Sequence, residues 1–280
     1  MSEEWLGQQQ VIALCGASGI SRATAERLGA WVERGGGLLA TYDTGLYDGR
    51  GELRKDGGAL KEVLGVKMKA EALESQIDCY YRVRRGHEAL GDYEAGALVF
   101  GDSRIIPVEA TDGAEVIADC WSLGREEVRG PAVIVHRYGK GKTVYVSGSL
   151  EAYYPSSQVV SLRKMLSSMI QYLAGGAPLP FKLKAPRGVY GILRRARNED
   201  LALWVLGDVG FKNEAAGRMR QEYVPVPQIE VSIRIPESRR VKGMQLMRAD
   251  RSVAYRIEDG YAVATIPSLH IADVVHLELA

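Results

Sequence analysis

The first half of the chain alternates short apolar runs with amphipathic stretches of helical period. Val11–Cys15 is a continuous apolar run and predicts a buried strand. Ser21 is placed to cap a helix with an apolar face that contains Ala25, Leu28 and Val32. The glycines at 35–37 end this helix, and the apolar run Leu38–Thr41 predicts a second strand. Strand, helix and strand with short connections indicate a parallel βαβ unit.

The rest of this half predicts a loop, more strands and two more helices. Residues 46–60 are rich in glycine and charge, which is typical of a long loop, and Ala59–Leu64 predicts a short helix. A final helix over 161–174 carries an inner stripe of Leu162, Met165, Leu166, Met169, Ile170 and Leu173. The predicted strands are Ala97–Phe100, Ile105–Glu109, Glu115–Ala118, Ala132–His136 and Thr143–Ser147.

The pattern changes after a Gly-Gly-Ala-Pro sequence at 175–178, which a helix cannot continue through. We therefore expect an α/β domain over residues 1–178 and a second domain over 179–280. In the second domain, apolar residues alternate with polar ones from Ile229 to Ile235, as in a half-buried strand. Asp259-Gly260 lies between two such runs and predicts a hairpin turn. About 100 residues of closely spaced strands predict a β-sandwich.

Composition and charge exclude several classes of partner. The chain has 36 basic and 35 acidic residues, so its net charge of +1 offers no broad attraction to nucleic acid or to an anionic membrane. We expect neither partner. Cys15, Cys79 and Cys120 match neither a zinc site nor a disulfide framework, which favours a reducing compartment and a cytoplasmic location. The N-terminus has no signal-peptide pattern, and no run approaches the length of a membrane-spanning helix.

Two segments carry a resemblance to a known family. Residues 28–65 contain a helix ending V-x-x-G-G, a strand, and a loop with T-G-x-x-D-x-x-G before a helix ending L-G-V. This stretch is similar to the trimerisation domain of family 42 β-galactosidases and of related glycosyl hydrolases. Residues 131–154 resemble the late hairpin of the same families, in which R-x-G-K-G joins two strands. The matching positions of the first segment are Val32, Gly35, Gly36, Thr44, Gly45, Asp48, Gly51, Leu64, Gly65 and Val66.

The resemblance implies both a fold and a role. The fold is an α/β, flavodoxin-like or class I glutamine amidotransferase-like parallel sheet with flanking helices, followed by an all-β immunoglobulin-like sandwich. In those enzymes a catalytic barrel precedes this region, and such a barrel needs roughly 250 residues. The 280 residues of this chain are already assigned to two other domains. The resemblance therefore implies a non-catalytic accessory region.

The start of the α/β domain departs from the family pattern. Only ten residues precede Val11, whereas further strand and helix units usually stand there in the resembling domains. We expect a sheet that lacks an edge, with unpaired backbone groups that another chain can bind. A homo-oligomer, or an assembly with a catalytic barrel domain, is therefore the expected partnership.

The strongest candidate chemistry lies in the loop after the second strand. In amidotransferases the nucleophilic cysteine is central in a strand-to-helix turn. The corresponding turn, 41–45, places Asp43 at its centre, and a carboxylate cannot replace a thiolate in amide hydrolysis. Asp43 and Asp48 have two interpretations, as the paired carboxylates of a glycosidase or as turn caps, and we favour caps. No catalytic residue is therefore assigned.

A candidate rim or interface loop consists of Tyr42, Asp43, Thr44, Tyr47 and Asp48, with Tyr153 and Tyr154. The four tyrosines lie near the C-terminal edge of the predicted sheet, where such folds bind ligands. A protein contact is favoured over a sugar-stacking surface, and simple packing of the rings under the loop is an alternative of equal weight to those two together. The R-x-G-K-G sequence lacks the spacing of a phosphate loop and predicts a hairpin turn. The histidines show no metal-ligand spacing, so neither a metal nor a cofactor is expected.

The sequence thus predicts a non-catalytic accessory and oligomerisation region of a β-galactosidase-like glycoside hydrolase. One alternative is a stand-alone amidotransferase-like hydrolase with a site around Asp43. The other is a carbohydrate-binding protein that uses Trp204 or Tyr261 of the sandwich.

Overall fold

A computed structural model describes residues 1–69, 73–74, 79–101, 104–150, 159–196, 198–210, 212–213, 219–220 and 222–280. The chain divides into two compact units, Met1–Ala177 and Pro178–Ala280. The elements of the first unit are α1 Glu3–Gly7, β1 Val11–Cys15, α2 Arg22–Glu33, β2 Gly37–Thr41, α3 Lys61–Leu64, β3 Val66–Met68, β4 Leu73–Glu74, β5 Cys79–Val83, a 3₁₀ helix Glu88–Leu90, β6 Leu98–Phe100, β7 Arg104–Ile105, β8 Val108–Ala110, β9 Glu115–Ser122, β10 Glu127–Tyr138, β11 Gly141–Val146 and α4 Val160–Leu173.

The predicted βαβ unit is present. β1 and β2 pair in parallel with Val11 opposite Gly37, and β2 pairs in parallel with β11. The Ser21 hydroxyl accepts a 3.2 Å hydrogen bond from the amide of Thr24, so Ser21 caps α2 as predicted. The buried face of α2 contains the three predicted residues and Trp31.

The prediction of a parallel sheet holds only for these three strands. Among the described strands, the main sheet has the order β1-β2-β11-β10-β9-β5-β6, and every pair from β11 onward is antiparallel. The physical reason is the length of the connections. β10 and β11 are joined by the tight turn between Tyr138 and Gly141, and such a turn can only link antiparallel strands. The R-x-G-K-G sequence is therefore a hairpin turn, as predicted.

Both faces of the parallel strands are covered. α4 packs on one face in a core that includes Leu39 of β2, and α2 and α3 pack on the other face around Leu38. The predicted inner stripe of α4 is wrong at Ile170, which is 40% exposed. The four positions buried on this helix are Leu162, Met165, Met169 and Leu173.

The second unit consists of strands that enclose one apolar core. Its strands are β12 Phe181–Lys184, β13 Val189–Arg195, β14 Leu201–Gly207, β15 Lys212–Asn213, β16 Met219–Arg220, β17 Val226–Arg234, β18 Val241–Leu246, β19 Arg251–Ser252, β20 Tyr255–Glu258, β21 Tyr261–Leu269 and β22 Ala272–Leu279. The sheets β12-β17-β21-β20 and β13-β14-β22-β18-β19 both contribute buried side chains to that core. The predicted sandwich is thus present.

The predicted hairpin in this unit is confirmed. Asp259 and Gly260 have φ of 50° and 79°, and they join β20 to β21. Two consecutive positive φ values are what the favoured two-residue hairpin turn requires. In the first unit, β1 is an edge strand of the main sheet. Among the helices of the described residues, none has the length and apolar character needed to cross a bilayer.

Candidate functional site

The candidate loop begins where the parallel strands end. β2 ends at Thr41, and its neighbours β1 and β11 end at Cys15 and Val146 in the same direction. The carboxyl edge of parallel strands is the usual ligand-binding side of an α/β sheet. Five of the predicted loop residues lie here, between 42 and 48. Tyr153 and Tyr154 lie outside the described residues.

Thr44 is the buried anchor of the loop. Its side chain is fully buried, with Oγ1 2.6 Å from the carbonyl oxygen of Thr41 and 3.0 Å from that of Leu14. The same Oγ1 accepts a 3.2 Å hydrogen bond from the amide of Ala17. Thr44 therefore joins the end of β1 to the end of β2, and it has no surface to offer a ligand.

Tyr42 adopts a backbone conformation that is costly for a residue with a side chain. Its φ is 52°, in the left-handed region. Its amide donates a 2.8 Å hydrogen bond to the carbonyl of Val146, and its own carbonyl accepts a 2.6 Å bond from the hydroxyl of Tyr145. The Tyr145 side chain is fully buried. Burial, with a smaller contribution from the charge of Asp43, raises the pKa of Tyr145 well above its usual value.

Asp43, at the centre of the turn, is engaged by a neighbour. Its Oδ2 accepts a 2.6 Å hydrogen bond from the hydroxyl of Ser18, a residue of the loop after β1. The Ser18 hydroxyl also lies 3.3 Å from the carbonyl oxygen of Gly16. Ser18 was not predicted as a site residue. A serine in a Gly-Ala-Ser-Gly turn gives no local signal that its hydroxyl bonds a side chain 25 positions away.

Asp48 caps a turn, as the favoured interpretation predicted. Its Oδ1 accepts hydrogen bonds from the amides of Arg50 and Glu52, at 2.8 and 2.9 Å. These two bonds are the main reason that the pKa of Asp48 is lowered from its usual value. A carboxylate held in its ionised form by backbone amides is a poor proton donor. Asp48 therefore shapes the loop.

Tyr47 fixes the loop to the segment between β1 and α2. Its amide donates a 3.0 Å hydrogen bond to the carbonyl of Ser18, and its carbonyl accepts a 3.1 Å bond from the amide of Ile20. The half-buried rings of Tyr47 and Tyr42 both pack against the core beneath α2 and α3. These two tyrosines thus combine packing with a partly accessible edge.

Two arginines complete the surroundings of the loop, and the sequence patterns did not identify them. The Arg54 guanidinium donates a 3.1 Å hydrogen bond from Nη2 to the carbonyl of Ile20. The Arg104 guanidinium lies 6.0 Å from the centre of the Tyr42 ring, at cation–π distance. Both contacts join residues more than 30 positions apart, so local sequence gives no signal for them.

The cysteines and histidines do not build a second site. Cys79 and Cys120 are both buried, and their sulfurs lie 2.7 Å apart on neighbouring strands. The contact with Cys79 and then burial raise the pKa of the Cys120 thiol. Within the described residues, no cluster of three or more histidine, cysteine or carboxylate side chains has the geometry to hold a metal ion.

Together these features define a class of protein. Its first unit is an α/β unit with a mixed sheet and a loop that is held by hydrogen bonds of its own backbone, and its second unit is a β-sandwich. Residues 12–167 match the family model described as the β-galactosidase trimerisation domain. The chain belongs to this family, which confirms the resemblance identified from the sequence.

Curated relatives in the same comparison are β-galactosidases. The chain is 38% identical over 135 residues to β-galactosidase BglY of Alicyclobacillus acidocaldarius, a match that covers 45% of this chain and 18% of that protein. It is 25% identical over 199 residues to β-galactosidase LacZ of Heyndrickxia coagulans, covering 70% of this chain and 26% of that protein. The matched regions thus span about a fifth to a quarter of these relatives.

Solved structures share the fold of the chain. Isoenzyme 2 of α-L-fucosidase from Paenibacillus thiaminolyticus superposes with a TM-score of 0.73 at 18% identity, covering 100% of this chain and 42% of that chain. A β-galactosidase from Bacillus circulans sp. alkalophilus superposes with a TM-score of 0.62 at 17% identity, covering 96% and 33%. At these identities the likeness concerns the fold alone.

Proposed function

We propose that this chain is a non-catalytic assembly region of a β-galactosidase-type glycoside hydrolase. In this proposal residues 1–178 bring copies together and residues 179–280 form an accessory sandwich. The observation that carries the proposal is the family match over 12–167, which covers nearly all of the first unit. The assembled partners are copies of this chain and a catalytic barrel domain, in the cytoplasm.

The loop chemistry supports a structural role. A glycosidase needs one carboxyl group with a raised pKa as acid and a second carboxylate as base or nucleophile. Asp48 has a lowered pKa and is bonded by two amides, and Asp43 is bonded by Ser18. Gly49, Arg50 and Gly51 form an exposed tip of the loop. We propose that this tip borders the active site of the catalytic domain.

The finer fold description is also a proposal. Three parallel strands with helices on both faces support an amidotransferase-like or flavodoxin-like origin for the first unit. Two sheets around one core support an immunoglobulin-like description of the second unit.

The test combines assembly and activity on the purified chain. We expect light scattering over a concentration series to give a mass above that of the monomer, and we expect no hydrolysis of nitrophenyl β-galactoside. A monomer at every concentration would contradict the assembly role. Hydrolysis that is lost in Asp43→Asn but kept in Asp112→Asn would instead favour an enzyme with its site around Asp43.

The second candidate is carbohydrate binding by the sandwich, and Trp204 favours it. Trp204 is 48% exposed, whereas Tyr261 is only 4% exposed and donates its hydroxyl to the carbonyl of Leu179 at 2.8 Å. Of these two residues, Trp204 is therefore the one that offers an aromatic face for a sugar ring. Calorimetric titration with galactose and galacto-oligosaccharides, compared between the parent chain and Trp204→Ala, tests this candidate. Loss of a measurable binding heat in the variant alone would support it.

A further inference from the structure

One half of the main sheet has a face that belongs to none of the apolar cores of the described residues. On β5, Tyr81 and Val83 point into the core beneath α4, so Tyr80 and Arg82 point to the opposite side. The side chains on that opposite side are absent from all three core clusters. We call it the aromatic face, and its members are Tyr80, Arg82, Leu98, Phe100, Trp121 and Val128.

The strand register aligns four of these side chains in one row. Tyr80 is directly opposite Phe100 on one side and Trp121 on the other, and Trp121 is opposite Val128. Registered partners on neighbouring strands lie on the same face of a sheet. The row therefore crosses β6, β5, β9 and β10, a width of about 15 Å at the usual strand spacing.

Contacts within the face hold the rings in place. The rings of Tyr80 and Phe100 meet edge to face with centres 5.4 Å apart. The Arg82 guanidinium lies 4.5 Å over the ring of Trp121. A row whose rings are fixed before binding loses little side-chain entropy when a partner covers it.

The ends of the face remain open to solvent. Leu98 and Val128 are 42% and 52% exposed, and Leu123 at the adjacent turn is 47% exposed. Exposed apolar side chains gathered on one side of a sheet favour an interaction surface. Tryptophan, tyrosine and arginine are also the residue types that dominate binding energy at protein interfaces. The composition thus favours a protein as the partner.

We infer that the aromatic face binds a second copy of this chain. The inference rests on the proposed assembly function, because the face lies within residues 12–167 that match the trimerisation family. The face also has a charge that a copy can complement, because Arg82 is exposed.

The test places charges at the two most exposed apolar positions of the face. The double variant Leu98→Arg with Val128→Arg changes side chains that already reach solvent, so folding is retained. We expect its dissociation constant, measured by sedimentation velocity, to rise at least about 30-fold relative to the parent chain. Trp204→Arg is the matched control, because it changes an equally exposed side chain in the second unit. We expect this control to assemble like the parent.

The outcomes separate this inference from the assembly proposal. A parent chain that is monomeric at all concentrations would contradict both the assembly proposal and the inference about the aromatic face. If the parent chain forms an oligomer and the double variant forms it equally well, the inference about the aromatic face is overturned but the assembly proposal is not. The same conclusion follows if Trp204→Arg alone disrupts the oligomer. Hydrogen exchange of the parent chain gives an independent check, because we expect slower exchange of the β5 and β6 amides at high concentration. Unchanged exchange there in an assembled sample would also overturn the inference.

Discussion

The buried hydroxyl of Tyr145 donates a 2.6 Å hydrogen bond to the carbonyl of Tyr42, the residue with positive φ at the start of the candidate loop. This bond links the carboxyl end of β11 to the residue that follows β2, across 103 positions of sequence. It helps to hold a backbone conformation that a residue with a side chain rarely adopts. The shape of the loop is thus set by a core residue that lies outside it.

Tyr145→Phe tests this link. We expect the free energy of unfolding of the first unit to fall by about 1–3 kcal/mol, because the Tyr42 carbonyl loses a buried partner. Urea unfolding followed by circular dichroism measures the change. Tyr138→Phe, on the neighbouring strand, controls for removal of a tyrosine hydroxyl from the same sheet. Equal stability of Tyr145→Phe and the parent chain would refute the proposed role of the bond.

Thr44→Val tests the anchor between β1 and β2. Valine keeps the shape of the side chain but removes Oγ1, which contacts the Leu14 and Thr41 carbonyls and the Ala17 amide. We expect a loss of roughly 2–3 kcal/mol and faster proteolysis within 42–51. Thr44→Ser retains the hydroxyl and should recover most of the stability. A serine variant as unstable as the valine variant would show that packing matters here and not the hydroxyl.

The second unit should lose stability in acid through Asp200. Its buried carboxylate accepts hydrogen bonds from the Leu279 amide at 2.9 Å and the Asn198 side chain at 2.5 Å, and it pairs with His276 at 3.0 Å. The Leu279 amide is the main reason that the pKa of Asp200 is lowered from 3.8. A lowered folded-state pKa gives stability that is present above the unfolded value and is lost as pH falls through the folded value.

We therefore expect the parent chain to lose stability below about pH 4, with a shallower loss in Asp200→Asn. Thermal unfolding over a pH series measures both slopes. Glu237→Gln is the control, because the Glu237 side chain is 95% exposed, and it should retain the slope of the parent. Identical slopes for Asp200→Asn and the parent would exclude Asp200 as the source of the acid sensitivity.

Gly141 is required by a close backbone approach. A Cβ atom at this position would overlap the carbonyl oxygens of Val32 and Gly36, at the point where the end of α2 packs against the start of β11. We expect Gly141→Ala to lower the free energy of unfolding by roughly 3 kcal/mol, measured by urea unfolding. Gly7→Ala is the control, because among the described residues no other side chain or backbone lies within 4 Å of its Cβ position. A Gly141→Ala protein that is as stable as the parent chain would show that the end of α2 can move away from β11 to accommodate the added Cβ atom.

Local signals predicted much of the fold because they depend on neighbouring residues. The Ser21 cap, the Asp259-Gly260 turn and the Asp48 cap each arise from bonds or dihedral angles within four positions. Ile170 shows the limit of the same reasoning. It lies on the apolar side of the α4 pattern, but the surface that α4 covers is narrower than that pattern, and Ile170 is left exposed.

The sequence by itself determined the first βαβ unit, the final helix of the first unit and the strand-rich character of the second unit, and it identified the family through the loop pattern around Thr44 and Asp48. Only the tertiary structure decided that most of the main sheet is antiparallel, that Ser18 binds Asp43, and that Tyr80 and Trp121 share one face of the sheet. The physical reason is distance along the chain. Hydrophobic periodicity reports which side of a segment is buried, but it contains no information on which distant segment pairs with it or in which direction.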